Sequence, residues 1–300
     1  MRLYEEAGAT TTAFDICVVL LNYNGGTLAR AAAEAALVSV GARVGLVVVD
    51  NASTDGSEAA LQALADSDPG RVLFLRAGGN IGFAAGNNLG LWSLPAEFIC
   101  LLNPDALAPP ETLGILRDHL RAHPRAGACG PQLASPHGIP QAFSHGADPS
   151  PAYLLRRALA HRRGRQLHDW AGEGSRPVDW VAGTCLMIRA AAVQQVGLLD
   201  EGIFMYFEDN DLCRRLRDRG WGVDFVPTAM VRHFNQPAAA DRARRERYYG
   251  GLARFYDRYY GSVAGGALRV ATRLRLAAGR WTTGPTDRVV TRGGRRGPLP

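Results

Sequence analysis

The chain has 300 residues, 32.2 kDa, 47% hydrophobic and 21% charged, which allows one large domain or two small ones and excludes a disordered chain, a collagen-like repeat and a small disulfide scaffold. No uncharged apolar run reaches the ~18 residues needed to span a bilayer, Glu5 and Glu6 stand where a signal peptide would be apolar, and five cysteines without C-x-x-C spacing read as buried free thiols in a reducing compartment. The net charge of +6 is uneven: residues 1–239 hold 20 Arg and 24 acids, residues 240–300 hold 14 Arg and 4 acids, and there is no lysine.

Residues 1–14 are expected to be disordered. Apolar runs then predict strands at residues 16–21, 45–49, 72–75 and 98–102. Ala-rich or periodic segments between and after them predict helices at 28–40, 57–65, 86–93 and 111–123. Strand and helix alternating at this spacing argue for βαβ units and a parallel sheet covered on both faces. Ligands of such sheets sit at the carboxyl ends of the strands. Each of the four runs ends there in turn formers: Asn22 to Gly26, Asp50 to Ser57, Gly78 to Phe83, and Asn103-Pro104-Asp105. Any one is an ordinary turn composition. Together they give one sheet edge carboxylates, amides and bare backbone N–H groups.

Residues 135–179 break the pattern with Pro136, Gly138, Pro140, Pro149, Pro151 and Pro177, and read as a long flexible insertion. A basic cluster lies inside it: Arg156, Arg157, Arg162, Arg163 and Arg165. Regular structure resumes over 181–189, followed by a helix at 190–196 that ends at Gly197. A helical segment is expected over 204–216, with acids at its start and arginines at its end. Two short strands, 222–226 and 229–234, close the core. Beyond Pro237 the chain reads as helical and Arg-rich to residue 282. Over 263–278, Val263, Ala267, Val270, Ala271, Leu274 and Ala278 project to one side, and Arg269, Arg273 and Arg280 to another. That is the pattern of a basic amphipathic helix suited to an anionic membrane surface, or of a helix docked on its own domain. Residues 283–300 are expected to be disordered.

Several residues have chemistry to offer. Asp50 ends a strand, where a carboxylate can accept from a nucleobase N–H or cap a turn. Asp105, on a turn stiffened by Pro104, could hold Mg²⁺ or Mn²⁺ together with phosphate oxygens and water. Glu208, Asp209 and Asp211 crowd three acids into four residues, which suits a general base or a helix N-terminus. His233 could complete a metal site or be structural. Asn80 to Asn88 offers glycines for close approach, and a helix starting near Phe83 would aim N–H groups at an anion. It matches neither a dinucleotide fingerprint nor a P-loop.

Together these residues resemble the family 2 glycosyltransferases of the GT-A fold, and within them the rhamnosyltransferase-like enzymes. The motifs are V-V-L-L-N-Y-N-G, V-V-V-D-N-A-S-T-D-G-S, N-I-G-F-A-A-G-N-N-L-G, L-L-N-P-D, V-A-G-T-C-L-M-I-R and F-M-Y-F-E-D-N-D-L-C-R-R-L, in order over residues 15–235. The resemblance implies an α/β GT-A domain over 15–237. Its nucleotide-binding half would be 15–134, its insertion 135–179 and its acceptor half 180–237, with a basic helical extension over 238–282. It implies an inverting, metal-dependent hexosyltransferase, with dTDP-rhamnose the leading donor and a lipid-linked or cell-surface glycan the acceptor.

Residue by residue, the resemblance places Leu21 and Tyr23 against the base and Asp50 on the pyrimidine ring. Asn80, Gly82, Phe83 and Asn88 would lie at the diphosphate site. Asn103 and Asp105 take the place of the D-x-D motif. Asp105 and His233 would hold the divalent cation, Mg²⁺ or Mn²⁺. Asp209 matches the catalytic base, with Glu208 beside it, and Trp180, Gly183 and Thr184 would shape the acceptor pocket. Without a Q-x-x-R-W motif, the transfer is expected to be non-processive. The basic segment 240–280 suggests a peripheral protein on the cytoplasmic face of the membrane. Nucleic acid is not an expected partner, because the core is acidic and has no base-stacking motif. The competing reading is a catalytically inactive GT-A module that binds nucleotide sugar or scaffolds a membrane complex, favoured by Asn103 in place of an Asp.

Overall fold

The computed structural model describes residues 13–163, 170–234 and 242–277. The terminal segments expected to be disordered fall outside these, apart from residues 13 and 14, as do Arg165, Pro237, Ala278 and Arg280.

In chain order, β1 (Phe14–Asn22), α1 (Gly26–Leu37), β2 (Val44–Asp50), α2 (Ser57–Ser67), β3 (Val72–Arg76), α3 (Phe83–Gly90) and β4 (Ala96–Leu102) form the first half. Next come β5 (Ala106–Leu107), α4 (Thr112–Ala122), β6 (Ala126–Ala134), β7 (His145–Gly146), α5 (Pro151–Arg162), β8 (Arg176–Pro177) and β9 (Trp180–Val181). The chain ends with β10 (Cys185–Arg189), α6 (Ala190–Val196), α7 (Glu208–Asp218), β11 (Gly222–His233), α8 (Arg242–Tyr260) and α9 (Ser262–Ala277).

The main sheet runs β3-β2-β1-β4-β10-β6-β11-β5, with β8 on β11, and β7 pairs β9 separately. Strands β1 to β4 are parallel to one another, β10 is antiparallel to both β4 and β6, and β11 is parallel to β6. The expected α/β class with a mostly parallel sheet is therefore what forms. Its cause is visible in β1. Ile16, Val18 and Leu20 pack with α1, α2 and α4 on one face. Cys17, Val19 and Leu21 pack with α3, α6 and α7 on the other. A strand buried on both faces must be apolar at every position, so its sequence shows a run and no alternation. All five cysteines are buried and free, as expected.

Four elements differ from the sequence expectation. Strand β6, buried along its whole length, has no apolar run, because its glycines are required by close neighbours. A Cβ on Gly127 would come within 2.8 Å of Trp221, and one on Gly130 within 2.8 Å of Val181. The two strands expected over 222–234 are one, β11, with a register shift between Val226 and Met230 at Pro227. Helix α7 starts at Glu208 and not at Phe204, because Tyr206 and Phe207 are both left-handed, with φ of 72° and 74°. The insertion 135–179 carries β7, α5 and β8.

Helix α8 docks on the domain through a third cluster, in which Phe207, Leu252, Phe255 and Tyr256 are buried with Tyr206, Tyr248 and Leu154 packed around them. Helix α9 packs on α8 through Ala264 and Leu268. Its stripe of Val263, Ala267, Val270, Ala271 and Leu274 faces outward, with Val263 86%, Val270 56% and Leu274 67% exposed.

Candidate active site

The rim of the site is the edge where β1, β2 and β4 end and β10 begins. Register places Asn22 beside Asp50 and Asp50 beside Arg76. Asp50 is 2% exposed. Its Oδ2 accepts from Asn22 Nδ2 at 2.8 Å and its Oδ1 from the Ser53 N–H at 2.9 Å. Asn22 Nδ2 also lies 2.9 Å from Ser53 Oγ, and Ser53 Oγ accepts from the Asn24 N–H at 3.0 Å. The carboxylate thus organises the two loops that leave β1 and β2. Tyr23, half exposed, projects at this rim, whereas Leu21 is buried beneath α3, where Gly86 leaves room for it. The ring available to a base here is Tyr23, and the Leu21 side chain belongs to the core.

A second network fixes the 80–83 turn. Asn51 Nδ2 donates to Asn80 Oδ1 at 3.1 Å and to the Gly82 carbonyl at 3.2 Å, and Asn51 Oδ1 accepts from the Ile81 N–H at 3.0 Å. Gly82 has φ +93°, and an added Cβ would lie 2.6 Å from the Phe204 carbonyl oxygen. The Gly82 N–H goes to Asn80 Oδ1 at 3.2 Å and the Phe83 N–H to the Phe204 carbonyl at 2.6 Å. The amides of residues 81–83 are therefore satisfied within the protein, and any anion at the start of α3 would have to use the amides that follow them. Asn88 is a clamp: it donates to the Leu199 carbonyl at 3.0 Å and accepts from the Leu199 N–H at 3.1 Å. The sequence singled out Asn80, but not its organiser Asn51.

The antiparallel pairing of β5 with β11 sets Ala106 opposite His233. It brings His233 Nε2 to 3.3 Å from Asp105 Oδ1, although the two are far apart in sequence. Gln141 fixes the imidazole: Oε1 lies 3.0 Å from His233 Nδ1, and Nε2 donates to the His233 carbonyl at 2.8 Å. An amide oxygen only accepts, so Nδ1 carries a proton, and a neutral ring would present its Nε2 lone pair to the carboxylate. Two electron-rich donors facing each other suit a bound cation. Among the described residues no three of His, Cys, Asp and Glu gather as a metal cluster. Protein would thus supply two donors, leaving other positions for phosphate oxygens and water, a common arrangement for Mg²⁺ or Mn²⁺. Sequence reasoning missed Gln141, which lies in a stretch with no periodic pattern.

Across the rim, the Asn103 N–H donates to the Thr184 carbonyl at 2.9 Å. The Gly183 N–H donates to Asp209 Oδ2 at 2.9 Å, and the Asn210 N–H to Oδ1 at 2.8 Å. A Cβ on Gly183 would lie 3.2 Å from the Phe83 ring and 3.8 Å from Asp209. Phe83, Gly183, Thr184 and Asp209 are therefore brought together. Trp180 stands one strand away, its indole N–H donating to the Ala147 carbonyl at 3.0 Å. Burial raises the Asp209 pKa, against the lowering effect of the Gly183 and Asn210 amides. Burial, and then the charge of Asp209, push Glu208 well above the ordinary carboxylate range. Its Oε2 is buried without a hydrogen-bond partner. Both shifts run in the direction a general base needs, towards a proton held less weakly than by a free carboxylate.

The loop that launches this pair is held by α8. Tyr248 meets Phe207 edge-on at 5.1 Å and Tyr206 at 5.9 Å. An added Cβ on Gly251 would land on the Tyr206 carbonyl. Tyr259 Oη donates to Asp211 Oδ1 at 2.9 Å, and Arg254 pairs with Asp200 at 2.8 Å.

Comparison with known proteins gives this geometry a context. The family model described as glycosyltransferase like family 2 matches residues 15–250. The chain is 32% identical over 212 residues to the N-acetylglucosaminyl-diphospho-decaprenol L-rhamnosyltransferase of Mycobacterium tuberculosis, a match covering 63% of this chain and 66% of that relative. It is 28% identical over 258 residues to the low-salt glycan biosynthesis hexosyltransferase Agl10 of Haloferax volcanii, covering 83% and 75% respectively. In structure it is similar to a mannosyltransferase of Pyrobaculum calidifontis solved with GDP-Man and Mn²⁺ (TM-score 0.58, 17% identity, 92% of this chain and 77% of that one). GalNAc-T7 solved with UDP, GalNAc and Mn²⁺ is a second such neighbour (TM-score 0.58, 13% identity, 89% and 55%). The fold is GT-A, and the chain belongs to the glycosyltransferase family 2.

Proposed function

We propose that this protein transfers a hexose, rhamnose from dTDP-rhamnose as the leading donor, to a hydroxyl of a lipid-linked glycan, with inversion at the anomeric carbon. The observation that carries the reading is Asp209. Its partly buried carboxylate is held by two backbone N–H groups at the start of α7, across the rim from Asn103 and Asp105. The donor is assigned to the side formed by Tyr23, Asp50, Asn80, Gly82 and Phe83, and the acceptor to the side formed by Trp180, Gly183 and Thr184. A divalent cation held by Asp105 and His233 would neutralise charge on the departing nucleoside diphosphate. Asp209 takes the proton from the acceptor hydroxyl, whose oxygen attacks the anomeric carbon on the face opposite the leaving group. Holding the two substrates in line supplies much of the acceleration. The M. tuberculosis and H. volcanii relatives, named a rhamnosyltransferase and a hexosyltransferase, support the sugar class.

We also assign α9 to an anionic membrane surface, on the strength of its outward apolar stripe and the excess of arginine after residue 240. Among the described residues no helix is long and apolar enough to cross a membrane.

The test is a panel of nucleotide sugars offered to purified protein with Mg²⁺ or Mn²⁺. One donor should be consumed, with EDTA stopping consumption. Asp209→Asn should lower transfer by about 10²–10⁴-fold with nucleotide affinity retained. A wild-type protein that binds nucleotide and never turns over would establish the inactive-module reading instead.

A further inference from the structure

Three arginines around the Asp209 loop have no carboxylate within ion-pair distance among the described residues, in contrast to their neighbours. On α8, Arg242 pairs with Glu246, Arg254 with Asp200, and Arg258 with Asp200 and Asp211. Arg244 instead donates through Nε to Tyr206 Oη at 3.1 Å, which leaves its terminal nitrogens for another partner. Arg247 lies over the Phe204 ring at 4.8 Å. From α5, Arg157 lies over the Phe143 ring at 5.2 Å, and its charge reaches Tyr248. Arg244, Arg247, Tyr248 and Gly251 follow one face of α8, the face turned to residues 204–207. Tyr248 touches Tyr206 and Phe207 and lies within reach of the Arg157 charge, which links α8 to α5. Tyr206 and Phe207 immediately precede Glu208 and Asp209, so the cluster is built on the loop that leads into the base.

Guanidinium groups held by rings and a phenol, without an acid to neutralise them, are preorganised for an anion, and their planar forks match phosphate oxygens. A neutral sugar hydroxyl can accept a hydrogen bond from them but leaves their charge uncompensated, which an anion does not. The Asp105–His233 pair belongs to the β5–β11 ladder, a different part of the rim.

We propose that Arg157, Arg244 and Arg247 form an acceptor subsite beside Asp209 that takes the phosphate or diphosphate ester joining an acceptor glycan to its lipid. This rests on the lipid-linked acceptor reading and adds the group that is recognised. It also gives a use to part of the basic cluster in the 135–179 insertion, which the sequence left without one.

The full-length protein is titrated with farnesyl diphosphate, farnesyl phosphate and farnesol, with binding followed by tryptophan fluorescence, and separately with dTDP. Wild type should prefer farnesyl diphosphate to farnesol by about tenfold or more. Arg157→Gln and Arg244→Gln should each remove most of that preference and leave the dTDP affinity in place. Because Arg244 also anchors Tyr206, Arg157→Lys is the control variant: it keeps the charge and should retain most of the preference. The site is overturned if wild type does not distinguish the diphosphate from the alcohol, or if the Gln variants bind it as wild type does. It is equally overturned if the variants lose dTDP in the same proportion, since the arginines would then serve the donor. The transferase reading stands or falls separately, on donor turnover.

Discussion

Glu208 and Asp209 are adjacent, yet the fold treats them differently. Asp209 is given two backbone donors, whereas Glu208 is sealed at 5% exposure with one oxygen unpartnered. Both carboxyl groups titrate above their ordinary values, 3.8 and 4.5, chiefly through burial. Two outcomes follow from the signs. The base must be ionised, so the transfer rate should fall as pH falls through a midpoint above 3.8, which a pH–rate profile will locate. For Glu208 the folded state holds the proton more tightly than the unfolded chain. Its contribution to stability is therefore present below about pH 4.5 and lost as pH rises through the folded value. Glu208→Gln removes that loss. Thermal melts should show the variant gaining about 2 °C or more at neutral pH, equivalent to ~1 kcal/mol, with a flatter dependence of Tm on pH. A wild-type melting curve that does not weaken as pH rises from 4.5 would contradict the assignment of a buried, proton-holding Glu208.

At the scale of elements, the loop that leads into Asp209 depends on a helix outside the parallel sheet. An Ala in place of Gly inside a helix normally stabilises it by ~1 kcal/mol. At Gly251 the new methyl would meet the Tyr206 carbonyl, whereas at Gly250 it meets nothing within 4 Å. Gly250→Ala should therefore raise Tm slightly. Gly251→Ala should cost about 1–3 kcal/mol by overpacking and lower kcat with the nucleotide affinity unchanged. Equal effects from the two substitutions would show that α8 does not position the loop. None of this docking is readable from the sequence, because Gly251 is one glycine in a charged segment. What could be read was whatever burial on two faces makes apolar: β1, β2 and β4, with the turns that end them. Strand β6 escaped because small residues do there what Val and Ile do in β1. The start of α7 escaped because nothing in Phe204 to Phe207 announces two left-handed residues. For the site, residue types at strand ends pointed to Asp50, Asn80 and Asp105, and the crowding of three acids pointed to Asp209. Gln141, Asn51 and Tyr248 act through partners distant in sequence, which no local pattern encodes.

At the scale of the whole molecule, the excess positive charge is gathered in the sequence after residue 240, where Val263, Val270 and Leu274 are also exposed. Among the described residues, helix α9 packs mainly on α8, by Ala264, Leu268 and the pairing of Arg269 with Asp257 at 2.5 Å. Its removal should therefore leave the catalytic rim intact. Deleting residues 262–300 is expected to abolish co-sedimentation with anionic vesicles while nucleotide binding persists. Unchanged co-sedimentation would relocate the membrane contact. The reversed strand β10 has a consequence of its own. It meets β4 through backbone pairs from Cys185–Leu102 to Arg189–Phe98, and the chain entering it arrives where β4 has just left. A slip of one strand along the other would carry Thr184 away from Asn103, whose N–H it accepts, so this seam holds two stretches about eighty residues apart in the chain to a single register.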